Sequence, residues 1–210
     1  MKSGLAPSWI TGLFLLKIIA SCFYGWFHLK YYPVTNDTWQ YFNFSLDEYH
    51  ALLHHPVNYF YQVVHSHEYA RYDNIFNTEN SFWNNFSVML IVRLQVLFNL
   101  LSGGRYYVNC IFYSGIVFFG QMALYRAYKD DFPSCPPLIL LITIFLFPSI
   151  LFWTSGIHKD GILLCLLGIL IFSFQQTLQR KKYRRHIIIA ILSACLIFLV
   201  RNYIFLALLP

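Results

Sequence analysis

The sequence predicts an all-α integral membrane protein, and three observations lead to that class. Only 11% of the 210 residues are charged, whereas a soluble domain of this length carries about 25%. Hydrophobic residues make up 58% of the chain, and the mean hydropathy is +0.50. The apolar residues lie in long blocks, and a helix needs about 20 mostly apolar residues to cross a bilayer. Covering all of these blocks in water would require more polar sequence than the chain has.

About five transmembrane helices are expected within a single membrane domain that covers 1–210. We expect the first to be a retained signal-anchor, because Lys17 interrupts a long apolar stretch and no small-residue cleavage site follows. The residues between the first two spans, 28–105, form a long loop. The approximate predicted spans are 9–27, 106–125, 138–154, 161–177 and 187–205.

The basic run QRKKYRRH, residues 179–186, sets the predicted orientation. Short loops rich in Lys and Arg stay on the cytoplasmic side of a membrane. Counting back along the spans puts the N-terminus in the cytoplasm, and 28–105 and TSGIHKDG, residues 154–161, on the outer face. The net charge of +6 does not indicate a nucleic-acid partner, because the basic residues are not spread over a folded face.

The segment SVMLIVRLQVLFNLL, residues 87–101, is apolar but contains Arg93, Gln95 and Asn99. A charge at mid-membrane costs about 2.5–3.5 kcal/mol, and the charge rule also disfavours a crossing here. We expect a helix that lies along the membrane surface; the alternative is a buried span whose Arg93 faces a cavity. Residues 46–64 are expected to form one or two short helices broken at Pro56.

The stretch FPSILFWTSGIHKDG, residues 147–161, places polar side chains between two apolar blocks. Pro148 is expected to bend the incoming helix and Asp160 to cap the next one. Two interpretations follow. One is a tight turn; the other is an anion site in which the helix start, His158 and Lys159 bind a lipid phosphate. Arg201 follows an apolar run, and an intramembrane Arg is a functional hypothesis by default, here as a partner for phosphate or for a carboxylate such as Asp37.

Asp37, in YPVTNDTWQYF, is the candidate for proton transfer. Partial desolvation among aromatic residues near the membrane would raise its pKa and suit it to act as a base. The alternative is a solvated loop carboxylate. His50 and His54 share a helix face, but the H-E-x-x-H pattern is missing. No cofactor is predicted, with a divalent metal as the open alternative.

Three features resemble bacterial multi-span glycosyltransferases of the GT-C type and related polysaccharide-polymerase-like proteins. They are Asn36-Asp37 soon after the first span, a long outer loop with membrane-lying helices, and P-S-x-x-F-W-x-S-G-x-x-K-D over 148–160. The resemblance implies sugar transfer from a polyprenyl-phosphate donor at the outer face of the bacterial cytoplasmic membrane, in envelope polysaccharide synthesis. Asp37 would be the catalytic base or a metal contact, and Lys159, Arg201 and His158 would contact the donor.

Such enzymes usually have eight or more spans, and this chain ends at LALLP within an apolar run. We therefore expect a shortened member. The expected partners are the polyprenyl-phosphate substrate and membrane lipids, and the sequence predicts no oligomeric state. The alternative function is a non-enzymatic transport or assembly subunit. Transporters tend to carry repeated halves, and no repeat is visible in this sequence, which favours the enzyme.

Overall fold

A computed structural model describes residues 5–32, 36–65, 75, 81–179 and 183–208. These residues are mainly helical, and no regular β-strand occurs among them, so the all-α prediction is confirmed. The helices are α1 Pro7–Tyr31, α2 Asp37–His54, α3 Pro56–His65, α4 Phe82–Ser102, α5 Tyr106–Asp131, α6 Pro137–Leu141, α7 Pro148–Trp153, α8 Lys159–Leu178, α9 Tyr183–Val200 and α10 Asn202–Leu208.

Five of the described helices are long and apolar enough to cross a membrane: α1, α4, α5, α8 and α9. The chain is therefore a multi-pass membrane protein, as its composition predicts. The predicted spans 9–27, 106–125, 161–177 and 187–205 overlap α1, α5, α8 and α9. Length and composition allow α4 either to cross the membrane or to lie on it, so the surface position of 87–101 stays a prediction.

The predicted span 138–154 is not one continuous helix. It consists of α6, a π-helical turn at Ile142–Leu146, and α7. The interruption lies at Phe147, whose backbone is extended (φ −60°, ψ 123°), because a residue that precedes proline is disfavoured in the helical region. Pro148 also lacks the N–H needed to continue the helix. The side chain of Gln121 donates a 2.8 Å hydrogen bond to the carbonyl of Ile144, which satisfies one backbone group at the irregular turn.

The described chain divides into two compact units. The larger unit runs up to Phe27 and resumes at Cys110, and the smaller unit is His28–Asn109. The core of the larger unit is apolar and joins α1 and α5 to the interrupted segment. Phe118 is central to it, with its ring centroid 5.3 Å from Phe14 and 5.5 Å from Phe145. The buried members of this core are Leu13, Phe118, Tyr125, Leu140, Leu141, Ile144 and Phe145.

In the larger unit α5 and α8 approach each other closely through glycine. A Cβ built on Gly120 would lie 2.2 Å from the Cα of Cys165, and one built on Gly168 would lie 2.2 Å from the carbonyl oxygen of Gly120. Small residues allow membrane helices to pack backbone against backbone. The same two helices carry the main polar groups of the site described below, so this contact helps to position them.

In the smaller unit α2 packs on α4 through a buried polar contact. The amide of Asn99 donates hydrogen bonds of 3.2 and 3.0 Å to the carbonyl and hydroxyl of Ser45, and Asn109 donates a 2.7 Å bond to Asn99. Asn99 and Gln95 are fully buried within the protein. Their polarity is therefore directed at protein rather than at the surroundings of α4. The expected break at Pro56 is confirmed, since α2 ends at His54 and α3 begins at Pro56.

Arg93, the residue that argued against a crossing helix, has protein partners in the same unit. Its guanidinium donates a 3.3 Å hydrogen bond to the carbonyl of Val63. The neighbouring acid is Glu48, which accepts a 3.4 Å hydrogen bond from the hydroxyl of Tyr59. Burial raises the pKa of the Glu48 carboxyl, an effect that the positive charge of Arg93 and the bond from Tyr59 oppose.

Candidate functional site

The turn between α7 and α8, residues 154–158, places polar groups between two apolar helices of the larger unit. Its first residues cap α7: the Thr154 hydroxyl donates a 2.6 Å hydrogen bond to the carbonyl of Ile150, and the Ser155 hydroxyl donates to the carbonyl of Leu151. Gly156 follows, and a Cβ there would lie 2.2 Å from the ring of Tyr24. Only glycine fits this position, because the α1 ring lies directly against the backbone.

Lys17 reaches this turn from α1. It is only 2% exposed, and its ammonium donates a 2.6 Å hydrogen bond to the Thr154 hydroxyl. That hydroxyl in turn donates a hydrogen bond to the carbonyl of Ile150, so a chain of hydrogen bonds runs from α1 to α7. From the sequence, Lys17 is only an interruption of the first span. A charged residue within an apolar span is itself a functional signal, and it could have identified this contact.

Tyr113 holds the end of the turn from α5. Its buried hydroxyl accepts a 3.3 Å hydrogen bond from the backbone N–H of His158 and donates one to the carbonyl of the same residue. A Cβ on Gly161 would lie 2.2 Å from this hydroxyl, so glycine is required where α8 passes Tyr113. The sequence analysis missed Tyr113, since nothing in its local sequence separates it from the other aromatic residues of the span.

A cluster of three side chains lies where the turn enters α8. The guanidinium of Arg201 contacts the carboxylate of Asp160 at 2.7 Å. The Nδ1 atom of His158 lies 3.3 Å from the other carboxylate oxygen and also 3.5 Å from the backbone N–H of Asp160. That N–H donates to Nδ1, so His158 caps α8 through a ring nitrogen that carries no proton. A proton on Nδ1 would donate instead to the carboxylate and leave Nε2 as the basic nitrogen.

The predicted residues Lys159, His158 and Arg201 are thus brought to one place, with Asp160 between two of them. Their exposure differs. The side chains of His158, Asp160 and Arg201 are 16%, 32% and 26% exposed, whereas Lys159 is 9% exposed and buried. The carboxylate that Arg201 contacts is Asp160, not the Asp37 partner considered from the sequence. The expectation that Asp160 caps α8 is wrong, because His158 is the N-cap and Asp160 lies within the first turn. There its carboxylate neutralises Arg201.

Asp37 belongs to the smaller unit. It is the first residue of α2, after Asn36, whose side chain accepts a 3.4 Å hydrogen bond from the N–H of Trp39 and caps the helix. Asp37 is exposed, and the hydroxyl of Tyr41 lies 3.5 Å from its carboxylate. Protein atoms therefore leave Asp37 exposed, and its role as a base near the membrane surface stays a prediction. An acidic residue in the first turn of a helix is also favoured by the helix dipole.

The histidines considered as metal ligands do not form a metal site in the described part of the chain. His50 and His54 stack with their ring centroids 6.5 Å apart on the exposed face of α2. No group of three His, Cys, Asp or Glu side chains that could hold a metal ion occurs among the described residues. The other histidine motif, HSH, covers residues 65–67, and residues 66 and 67 lie outside the described ranges.

The chain matches no family model, and comparisons with curated proteins and with solved structures find no significant match. The resemblance to multi-span glycosyltransferases therefore stays a prediction, carried by the residues quoted for it. What the chain can do chemically has to be argued from the cluster itself. Lys159 and Arg201 outnumber the one carboxylate of Asp160, so the site favours an anionic ligand.

Proposed function

We propose that this protein transfers a sugar from a polyprenyl-phosphate-linked donor at the outer face of a bacterial cytoplasmic membrane, in envelope polysaccharide synthesis. One observation carries the proposal: a charged cluster around Asp160 and Arg201 within a bundle of apolar helices. Charged groups at such positions are costly, and they mark substrate or ion sites by default. A lipid phosphate presents its charge at the membrane surface, which is where the ends of α7 and α8 would lie.

The chemistry of the cluster supports phosphate as the ligand. A guanidinium presents a planar fork of donors that matches phosphate as well as carboxylate. Without ligand, Asp160 neutralises Arg201; with ligand, a phosphate oxygen would take up the donors that Asp160 now occupies. The buried ammonium of Lys159 would add positive charge from the protein side. The N–H groups in the first turn of α8 would add partial positive charge.

In glycosyl transfer an acceptor hydroxyl attacks the anomeric carbon of the donor sugar. The bond from that carbon to the phosphate oxygen breaks, and the phosphate leaves with the electron pair while a base takes the hydroxyl proton. Arg201 and Lys159 would stabilise the charge that develops on the leaving phosphate. The resemblance assigns the base to Asp37. His158, whose Nδ1 lies 3.3 Å from the Asp160 carboxylate, is a basic group that the larger unit itself offers.

Turnover in proteoliposomes tests the proposal and shows whether Asp37 or His158 is the base. Purified protein is mixed with a panel of polyprenyl-phosphate-linked sugars and a panel of oligosaccharide acceptors that supply the attacking hydroxyl, and release of polyprenyl phosphate is measured. Asp37→Asn should abolish release if Asp37 is the base and leave donor binding intact. His158→Gln should abolish it if the base belongs to the cluster. Donor binding without release by the wild-type protein, across the panel and with divalent cations added, would contradict glycosyl transfer.

The proposed orientation follows the charge rule, with the N-terminus and 179–186 in the cytoplasm and the turn outside. A second function has one observation in its favour. Interrupted helices near the membrane interior are typical of transporters, and the segment from Pro137 to Trp153 is interrupted at Phe147. In a transport subunit the cluster would bind an anion that crosses the membrane unchanged. Uptake of labelled polyprenyl phosphate across proteoliposomes, with no sugar released, would favour this alternative.

A further inference from the structure

A cavity of about 640 Å³ lies between α5, α8 and α9 in the larger unit. It is distinct from the cluster around Asp160. Gln176, one of its lining residues, follows Asp160 by 16 positions on α8, which corresponds to about 24 Å along a helix that rises 1.5 Å per residue. The two sites therefore lie towards opposite ends of one helix whose length approaches the thickness of a bilayer core.

The cavity is apolar at one end and basic at the other. Helices α5 and α8 run parallel, since Gly120 contacts Cys165 and the side chain of Gln175 reaches the carbonyl of Ala127. Helix α9 returns antiparallel, with the ring of His186 6.0 Å from that of Phe172. The apolar lining at one end includes Phe119, Ile169 and Ile189, and the lining at the end near the 179–186 run includes Arg126, Gln176 and Arg185.

The two arginines provide uncompensated positive charge. The guanidinium of Arg126 lies 5.7 Å from the ring centre of Phe172, a cation–π contact that fixes its position without neutralising it. Two acids follow Arg126 on α5: Asp130, four positions on, is exposed and forms no ion pair with it, and Asp131 accepts a 2.5 Å hydrogen bond from Gln175. Across the described ranges, no carboxylate lies within ion-pair distance of Arg126 or Arg185.

We infer that this cavity binds an anionic phospholipid, with the phosphate at Arg126 and Arg185 and the first part of the acyl chains along the apolar lining. Basic pockets between membrane helices recognise lipid headgroups in this way. A soluble anion would use the arginines alone and would leave the apolar lining uncovered. The side chain of Phe119, at the apolar end, is 55% exposed, as expected for a wall that faces lipid. This inference does not depend on the proposed glycosyl transfer.

Native mass spectrometry of the full chain, titrated with phosphatidylglycerol or phosphatidylcholine in neutral detergent, tests this site. We expect tighter binding of phosphatidylglycerol. Each arginine near a lipid phosphate contributes about 1 kcal/mol, or about fivefold, so Arg126→Gln/Arg185→Gln should weaken that binding by about 25-fold. Arg185 is exposed, so the single variant Arg185→Gln should fold normally. Its affinity for phosphatidylglycerol should still fall about fivefold. The matched control is Arg184→Gln, an exposed neighbour on α9 outside the cavity, which should bind as the wild type does.

Equal affinity of the double variant and the wild type for phosphatidylglycerol would overturn the site. So would equal binding of the two lipids by the wild type. Displacement of phosphatidylglycerol by millimolar inorganic phosphate at constant ionic strength would show a site for soluble anions and overturn the lipid assignment.

Discussion

The ammonium of Lys17 on α1 donates a 2.6 Å hydrogen bond to the hydroxyl of Thr154, which lies 137 positions later in the chain. Both residues are buried. This contact connects the first helix of the larger unit to the turn that carries His158 and Asp160. The candidate site is therefore held by long-range polar contacts as well as by the local geometry of the turn.

We expect Thr154→Val to destabilise the protein more than Lys17→Met does. Thr154→Val removes the acceptor and leaves the buried ammonium without it, at a cost of about 1–3 kcal/mol. Lys17→Met removes the donor together with its charge, and an apolar side chain of similar length fits a buried position at little cost. Thermal unfolding in detergent measures both. A larger loss of stability in Lys17→Met would show that the ammonium stabilises the fold through other contacts.

The contact between α5 and α8 leads to a second prediction. Gly120→Ala adds a Cβ 2.2 Å from the backbone of Cys165, whereas Gly115, on the same helix, has nothing within 4 Å of that position. Alanine otherwise stabilises a helix interior by roughly 0.5–1 kcal/mol relative to glycine. Gly115→Ala should therefore keep or raise the melting temperature, and Gly120→Ala should lower it. Equal melting temperatures would mean that α5 and α8 are not in backbone contact.

The apolar helices could be predicted from the sequence because length and composition alone determine them. The interruption at Phe147 was partly predictable, since Pro148 carries a local signal. The contacts of Lys17 and Tyr113 were not, because each joins residues far apart in the chain and depends on which helices become neighbours. The polarity of Gln95 and Asn99 was interpreted as a cost in the membrane. Both side chains are in fact buried within the smaller unit, which the sequence of α4 alone cannot show.

The pH dependence of the smaller unit should reflect Glu48. Burial raises the pKa of its carboxyl above the ordinary value of 4.5, so the folded state binds the proton more tightly than the unfolded state. Stability should then fall as the pH rises from 4.5 through the raised pKa. Glu48→Gln should remove this part of the pH dependence, and the exposed Asp47→Asn is the control. Thermal unfolding between acid and neutral pH measures it; an unchanged profile in Glu48→Gln would contradict the assignment.

Orientation can be tested by labelling single cysteines in a background without the five native ones. Val57, Trp153 and Tyr183 are suitable because each is well exposed, whereas Ile157 is fully buried. The charge rule predicts that an impermeant reagent added outside reaches cysteines at 57 and 153 and misses one at 183. A reporter fused after Gly104 should also read as external if α4 lies on the surface. A cytoplasmic reading there would identify α4 as a true span.

Binding of a polyprenyl monophosphate shows directly whether the cluster around Asp160 and Arg201 is a phosphate site. Titration calorimetry in detergent, in the Arg126→Gln/Arg185→Gln background, confines the measurement to the cluster. Loss of one interaction with a charged group corresponds to about 1.5–3 kcal/mol, so Arg201→Gln and Lys159→Ala should each weaken binding about ten- to hundredfold. Asp160→Asn should bind more tightly, because the carboxylate that competes with phosphate is removed. Arg184→Gln is the control and should leave the affinity unchanged.

Circular dichroism and the elution volume of each variant establish that it folds before its affinity is compared. We expect loss of affinity in Arg201→Gln and Lys159→Ala and a gain in Asp160→Asn, all in folded protein. Folded Arg201→Gln and Lys159→Ala variants that bind polyprenyl monophosphate as tightly as the parent would contradict this expectation, and the turn at 154–161 would then be a structural connection between α7 and α8.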